Sequence, residues 1–182
     1  MSARDSHLTA DDFDRQLTRL AVATADQSDP EIDSSVNEVL RLVRDHLQMD
    51  VAFVSHLHGG RRSFDYVQPD DGKQVIAAGG SDPVETGFCQ RVIDGRQPQL
   101  VRDVRKLPDF SDLPPTPFPI GAHLSTPIVL ASGAVYGTLC CFSFAPTEAL
   151  AERDLKRLQM AARMVAGQID KARQRRGLGD DD

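Results

Sequence analysis

The chain has 182 residues, a formal net charge of −6 and a sequence pI of about 5.3. That length fits one domain with flanking helices, and the acidic balance disfavours nucleic acid or an anionic membrane as a partner of the domain body. No apolar run approaches the ~20 residues that span a bilayer, no signal-peptide core opens the chain, and three cysteines without a CxxC spacing make neither a disulfide framework nor a zinc site, so a cytoplasmic protein is expected.

Thr9 is placed to cap a first helix carrying Phe13, Leu17, Leu20 and Ala21 at helical spacing. Asp29-Pro30 starts a second, whose apolar face is Ile32, Val36, Val39, Leu40, Val43 and Leu47. The period then changes to two. Val51 to Leu57, Ser63 to Val67 and Lys73 to Ala77 read as a meander turned at Gly59-Gly60 and Asp70-Asp71-Gly72. A short helix over Glu85 to Asp94 ends at Gly95, and Gln99 to Val104 reads as a short strand.

Between Lys106 and Pro119 five prolines exclude both helix and central strand, leaving a stiff surface excursion or a lid. Ala122 to Leu130 and Ala134 to Phe144 are the longest strands, joined at Ser132-Gly133. The second is apolar almost throughout and should be central, with both faces covered. Pro146-Thr147 opens a last helix with Leu155, Leu158, Ala162, Val165, Ile169 and Ala172 in a heptad seam. Its basic end, Lys171 to Arg176, suits the negative pole of the helix and precedes an acidic tail.

Four blocks carry a resemblance: Gly87-Phe88-Cys89-Gln90-Arg91-Val92, Val101-Arg102-Asp103-Val104, Ile120 through Ile128, and Tyr136-Gly137-Thr138-Leu139. In this order they resemble the GAF family, ligand-sensing domains related in shape to PAS domains. The resemblance implies an α+β fold with a central antiparallel sheet of five or six strands. Three longer helices would cover one face, and the short helix and proline-rich loop would cover a pocket on the other. It divides the chain into a dimer-forming N-terminal helix (1–29), the domain (30–172) and a flexible tail or linker (173–182). It also nominates ligand-contacting residues: Phe64 and Tyr66 on a pocket-side strand, Cys89 on the covering helix, Asp103 at the loop entrance, and His123 and Ser125 on the floor strand.

The ligand classes of that family leave uneven traces. The Asn-Lys signature of cyclic-nucleotide-binding members is absent, since Asn37 is the one asparagine, and no cysteine lies between Val92 and Leu139 to anchor a bilin. His123 is the one histidine expected to point into the pocket, where a lone strand histidine is far more often a hydrogen-bonded structural residue than a haem ligand, and His56 and His58 lack an obvious third ligand for a metal. The sequence therefore names no cofactor.

Free methionine-R-sulfoxide reductases share the family. They attack with a cysteine shortly after the Asp-Val block, where this chain has Asp109-Phe110-Ser111-Asp112, and their acidic substrate-binding residues correspond to Leu124-Ser125 and Cys140-Cys141-Phe142. The expectation is therefore a sensory or regulatory domain and not an enzyme. It would bind a small molecule, feed an output domain, and pair as a homodimer through Leu17, Leu20, Val165 and Ile169. The alternatives are a reductase-like enzyme using Cys89 and a purely structural dimerisation module.

Overall fold

A computed structural model describes residues 10–23 and 29–177. Thr9, the side chain of Leu20 and the acidic tail lie outside what it describes. Its elements are α1 (Ala10–Ala23), α2 (Asp29–Leu47), β1 (Val51–His58), β2 (Arg61–Pro69), β3 (Ser81–Pro83), α3 (Cys89–Ile93), β4 (Leu100–Val101), β5 (Ala122–Val129), β6 (Val135–Ser143) and α4 (Glu152–Arg175). The strands form one antiparallel sheet in the order β3-β2-β1-β6-β5-β4, an α+β arrangement.

The apolar run of β6 puts it between β1 and β5 with both of its faces covered. On one face, α2 and α4 form the main core with Ala52, Val54, Leu124, Leu139 and Cys141. All six residues of the expected α2 face are buried there. Helix α1 lies against this layer: the Phe13 ring stacks on His46 of α2 at 4.7 Å, and Asp14 faces Arg157 of α4 at 3.9 Å.

Five expectations differ from what is observed. Residues 73–77 are not a strand, because neighbouring Val75 and Ile76 both pack on the pocket-side cluster, which the alternation of a strand forbids. Pairing with β2 resumes instead through Gly79 and Gly80, which bond the backbone of Phe64 at 2.8 and 2.9 Å. The covering helix is broken by extended Gly87 (φ −125°, ψ 171°) into a 3-10 turn, Val84–Thr86, and the five-residue α3. The strand over 99–104 shrinks to β4 because Asp103 leaves the ladder to cap a 3-10 turn, Val104–Lys106.

Finally, α4 starts at Glu152, where Asp154 accepts the Ala151 amide at 2.9 Å, and not at Pro146. Its seam was expected to pair with a partner through Val165 and Ile169. Instead Val165 is 0% and Ile169 7% exposed, both in the protomer's own core.

Candidate functional site

Strand alternation builds the site. Val51, Phe53 and Ser55 of β1, His123 and Ser125 of β5, and Thr138, Cys140 and Phe142 of β6 share the face turned away from α2 and α4. Over them lie α3 and the loop 107–121, which contributes Thr116, Phe118 and Ile120. Between the layers is a cavity of about 40 Å³, walled by Phe53, Phe64, Phe88 and Phe142; its polar lining residues are Arg62, His123 and the two threonines Thr86 and Thr116. The lid is fastened by an ion pair from Arg91 of α3 to Asp109, and Lys106 reaches Glu148 at 3.3 Å.

Beneath the aromatic wall runs a buried polar chain. Ser55 Oγ is 2.7 Å from Thr138 Oγ1, which is 3.0 Å from Cys140 Sγ; Ser125 Oγ reaches the same sulfur at 2.9 Å. Cys140 Sγ lies 3.7 Å from Cys89 Sγ, and Arg62 Nη1 donates to Cys89 Sγ at 3.4 Å. Asp82 of β3 fixes the Arg62 guanidinium with two bonds, 2.9 and 2.7 Å, a bidentate clamp of the strong kind.

This chain sets the charges of the site. The hydrogen bond with Cys140, helped by the Arg62 charge, draws the Cys89 thiol down from its ordinary value against the opposing effect of burial. Burial and the Cys89 charge push Cys140 up, so the pair gives up one proton readily, at Cys89, and the second with difficulty. Burial, and then the same Arg62 charge, lower the His123 pKa to about 3, so its ring is neutral. The His123 Nδ1 sits 3.2 Å from the Gln97 amide.

The six nominated residues therefore separate. Phe64 and His123 line the cavity. Cys89 and Ser125 sit just behind its wall, in the polar chain. Tyr66 does not face the pocket: β2 carries a bulge, with Val54 opposite Tyr66 but Ser55 opposite Phe64, so Asp65 is the extra residue and Tyr66 flips to the helix side. There its hydroxyl donates to Asp33 of α2. Asp103 turns inward on its own turn, accepting from the Arg105 amide and side chain at 3.0 Å, which holds its carboxyl below the usual range. It is absent from the cavity lining.

Arg62 and Asp82 were not nominated from sequence. The available signal was the place of Arg62 two residues before Phe64, on the same strand face as that aromatic.

A family model of the GAF domain matches residues 31–169. The chain belongs to the GAF domain family.

Solved structures agree on the fold of this GAF domain. It superposes with a TM-score of 0.71 on the GAF domain of a phosphoenolpyruvate-protein phosphotransferase from Coxiella burnetii, at 18% identity over 97% of this chain and 100% of that one. A free methionine-R-sulfoxide reductase from Neisseria meningitidis, solved with its substrate, gives 0.69 at 15% identity, covering 90% and 91%. The chromophore-binding domain of a bacteriophytochrome from R. palustris gives 0.70 at 15% identity, covering 94% and 64%. No curated protein matches the chain in sequence.

The Neisseria reductase overturns one expectation. The chain was read as not an enzyme, yet its GAF fold is shared with enzymes, so neither fold nor family supports that exclusion. Among the described residues, no helix is long and apolar enough to cross a membrane.

Proposed function

We propose that this GAF domain is a cytoplasmic sensory or regulatory unit that binds a small molecule between its sheet and its lid. The observation that carries the proposal is the mainly apolar cavity with the nitrogen-bearing side chains of Arg62 and His123 in its wall, closed by a lid held through Arg91 and Asp109. Predominantly apolar walls with a small number of placed polar groups are the usual composition of a ligand site. At about 40 Å³ the cavity is far below the ~300 Å³ of ordinary ligand pockets, so a metabolite-sized ligand enters only when the lid lifts. Binding and lid movement are then one event.

The sheet is a single layer, which gives the event a route outward. Strand β5 presents His123 to the cavity while its other face packs on α4. A shift of β5 on ligand entry is felt by α4, the element through which an output domain would be driven. In a homodimer the pairing surface would be the outward faces of α1 and α4, where Met160 is exposed, because the core uses Leu17, Val165 and Ile169. Recognition of a small molecule is common to the sensory and catalytic uses of the fold.

The test is a thermal-shift screen of small metabolites against the wild type and Thr116→Trp, which fills the cavity from the lid side. Compounds that stabilise the wild type should leave the variant's melting temperature unchanged. Equal stabilisation of both would place binding elsewhere.

A further inference from the structure

We propose that Cys89 and Cys140 are an oxidant-reactive dithiol, a modification site at which hydrogen peroxide drives closure of an internal disulfide. The proposal stands independently of which ligand the cavity takes.

Buried thiols are ordinarily inert, and Cys141 shows why. It points to the helix-side core among Ala52, Leu124 and Leu139, where burial drives its pKa up. Cys140, its neighbour in sequence, points the other way into the polar chain. Its sulfur touches that of Cys89 at 3.7 Å, and forming a bond of ~2.0 Å asks for an approach of roughly 1.7 Å. Cys89 opens a five-residue helix preceded by extended Gly87, so that approach needs only local backbone movement.

The arrangement is also asymmetric in the way the chemistry requires. The hydrogen bond from Cys140, together with the Arg62 guanidinium that Asp82 fixes on the Cys89 side alone, makes the Cys89 sulfur the thiolate and the nucleophile. Cys140 keeps its proton and resolves. Arg62 also lines the cavity, which at about 40 Å³ has space for about two or three water-sized groups. That admits a two-oxygen peroxide and excludes bulky oxidants. Cys89 is 1% exposed and does not itself line the cavity, so the guanidinium must yield as the peroxide arrives.

The thiolate sulfur of Cys89 attacks one peroxide oxygen; the O–O bond breaks, the sulfur loses two electrons to become a sulfenic acid, and hydroxide leaves beside Arg62 and takes up a solvent proton. The Cys140 sulfur then attacks Cys89 Sγ, the S–O bond breaks, and the departing hydroxide accepts the Cys140 proton. In total, two thiols and one peroxide give one disulfide and two waters.

The experiment exposes the reduced full chain to excess hydrogen peroxide, alkylates the remaining thiols under denaturing conditions, and maps the peptides by mass spectrometry without reduction. The expected product is one linked pair, Cys89 with Cys140, with Cys141 alkylated. Cys140→Ser should yield no link and a Cys89 sulfenic acid captured by a dione probe. Arg62→Gln should slow oxidation about tenfold, because less of Cys89 is thiolate at neutral pH. Three intact thiols, under exposure that oxidises an unstructured cysteine peptide, would overturn the proposal. So would a link through Cys141, or one between two copies.

Discussion

A Cβ on Gly87 would lie 2.1 Å from Nη1 of Arg62, so the space in front of that glycine belongs to the guanidinium. Gly87 has an ordinary negative φ; its lack of a side chain serves close approach and not backbone freedom. Because Asp82 clamps Arg62, the guanidinium cannot swing aside at no cost. Gly87→Ala should therefore cost about 1–3 kcal/mol in urea unfolding, as overpacking does. It should also slow alkylation of Cys89 at neutral pH. Wild-type values for both would mean that Arg62 is not held where the structure places it.

Tyr66 provides the complementary case. Its hydroxyl donates to Asp33 on the helix side, and burial with that bond raises its pKa. Tyr66→Phe should cost about 0.5–1.5 kcal/mol and leave binding of any cavity ligand unchanged in calorimetry. A loss of ligand affinity would argue against the bulge at Asp65.

The neutral His123 gives stability a pH dependence with a definite sign. Its folded pKa, about 3, lies below the unfolded 6.5, so between those values the unfolded chain binds the extra proton. The stabilisation is complete above pH 6.5 and is lost as pH falls toward 3, at up to about 1.4 kcal/mol per unit. His123→Gln should flatten the fall in urea midpoint between pH 6.5 and 4.5. An unchanged slope in the variant would show that other groups carry it.

Ile169 separates the core from an interface. A charge at a partner interface would split a dimer and spare the fold, whereas Ile169 is packed within the protomer. Ile169→Glu should therefore destabilise by more than about 3 kcal/mol, seen as a lower melting temperature in circular dichroism. A dissociated but equally stable variant would restore the interface reading.

The sequence made the layers legible because burial there follows simple patterns. The α2 face obeys a period of 3.6, the central β6 is a continuous apolar run, and the hairpin turns at Gly133. What it hid depends on single-residue departures from those patterns. One bulged residue, Asp65, sends Tyr66 to the far face, and one extended glycine divides the covering helix. The α4 seam was visible, but spacing alone cannot tell a chain's own sheet from a partner helix. The site was legible in part: Phe64 and His123 are in the cavity wall, while the Arg62–Asp82 clamp joins strands through a pairing that the misplaced third strand concealed.

The central claim is that ligand enters beneath α3 and the lid. Hydrogen–deuterium exchange, read by mass spectrometry with and without the tightest compound from the metabolite screen, tests it most directly. The account predicts slowed exchange in residues 84–94 and 106–121, with a smaller effect on α4 where it packs on β5. Protection confined to the groove between α2, α4 and the β1–β2 hairpin, around Tyr66 and Gln168, with none in the lid, would contradict it.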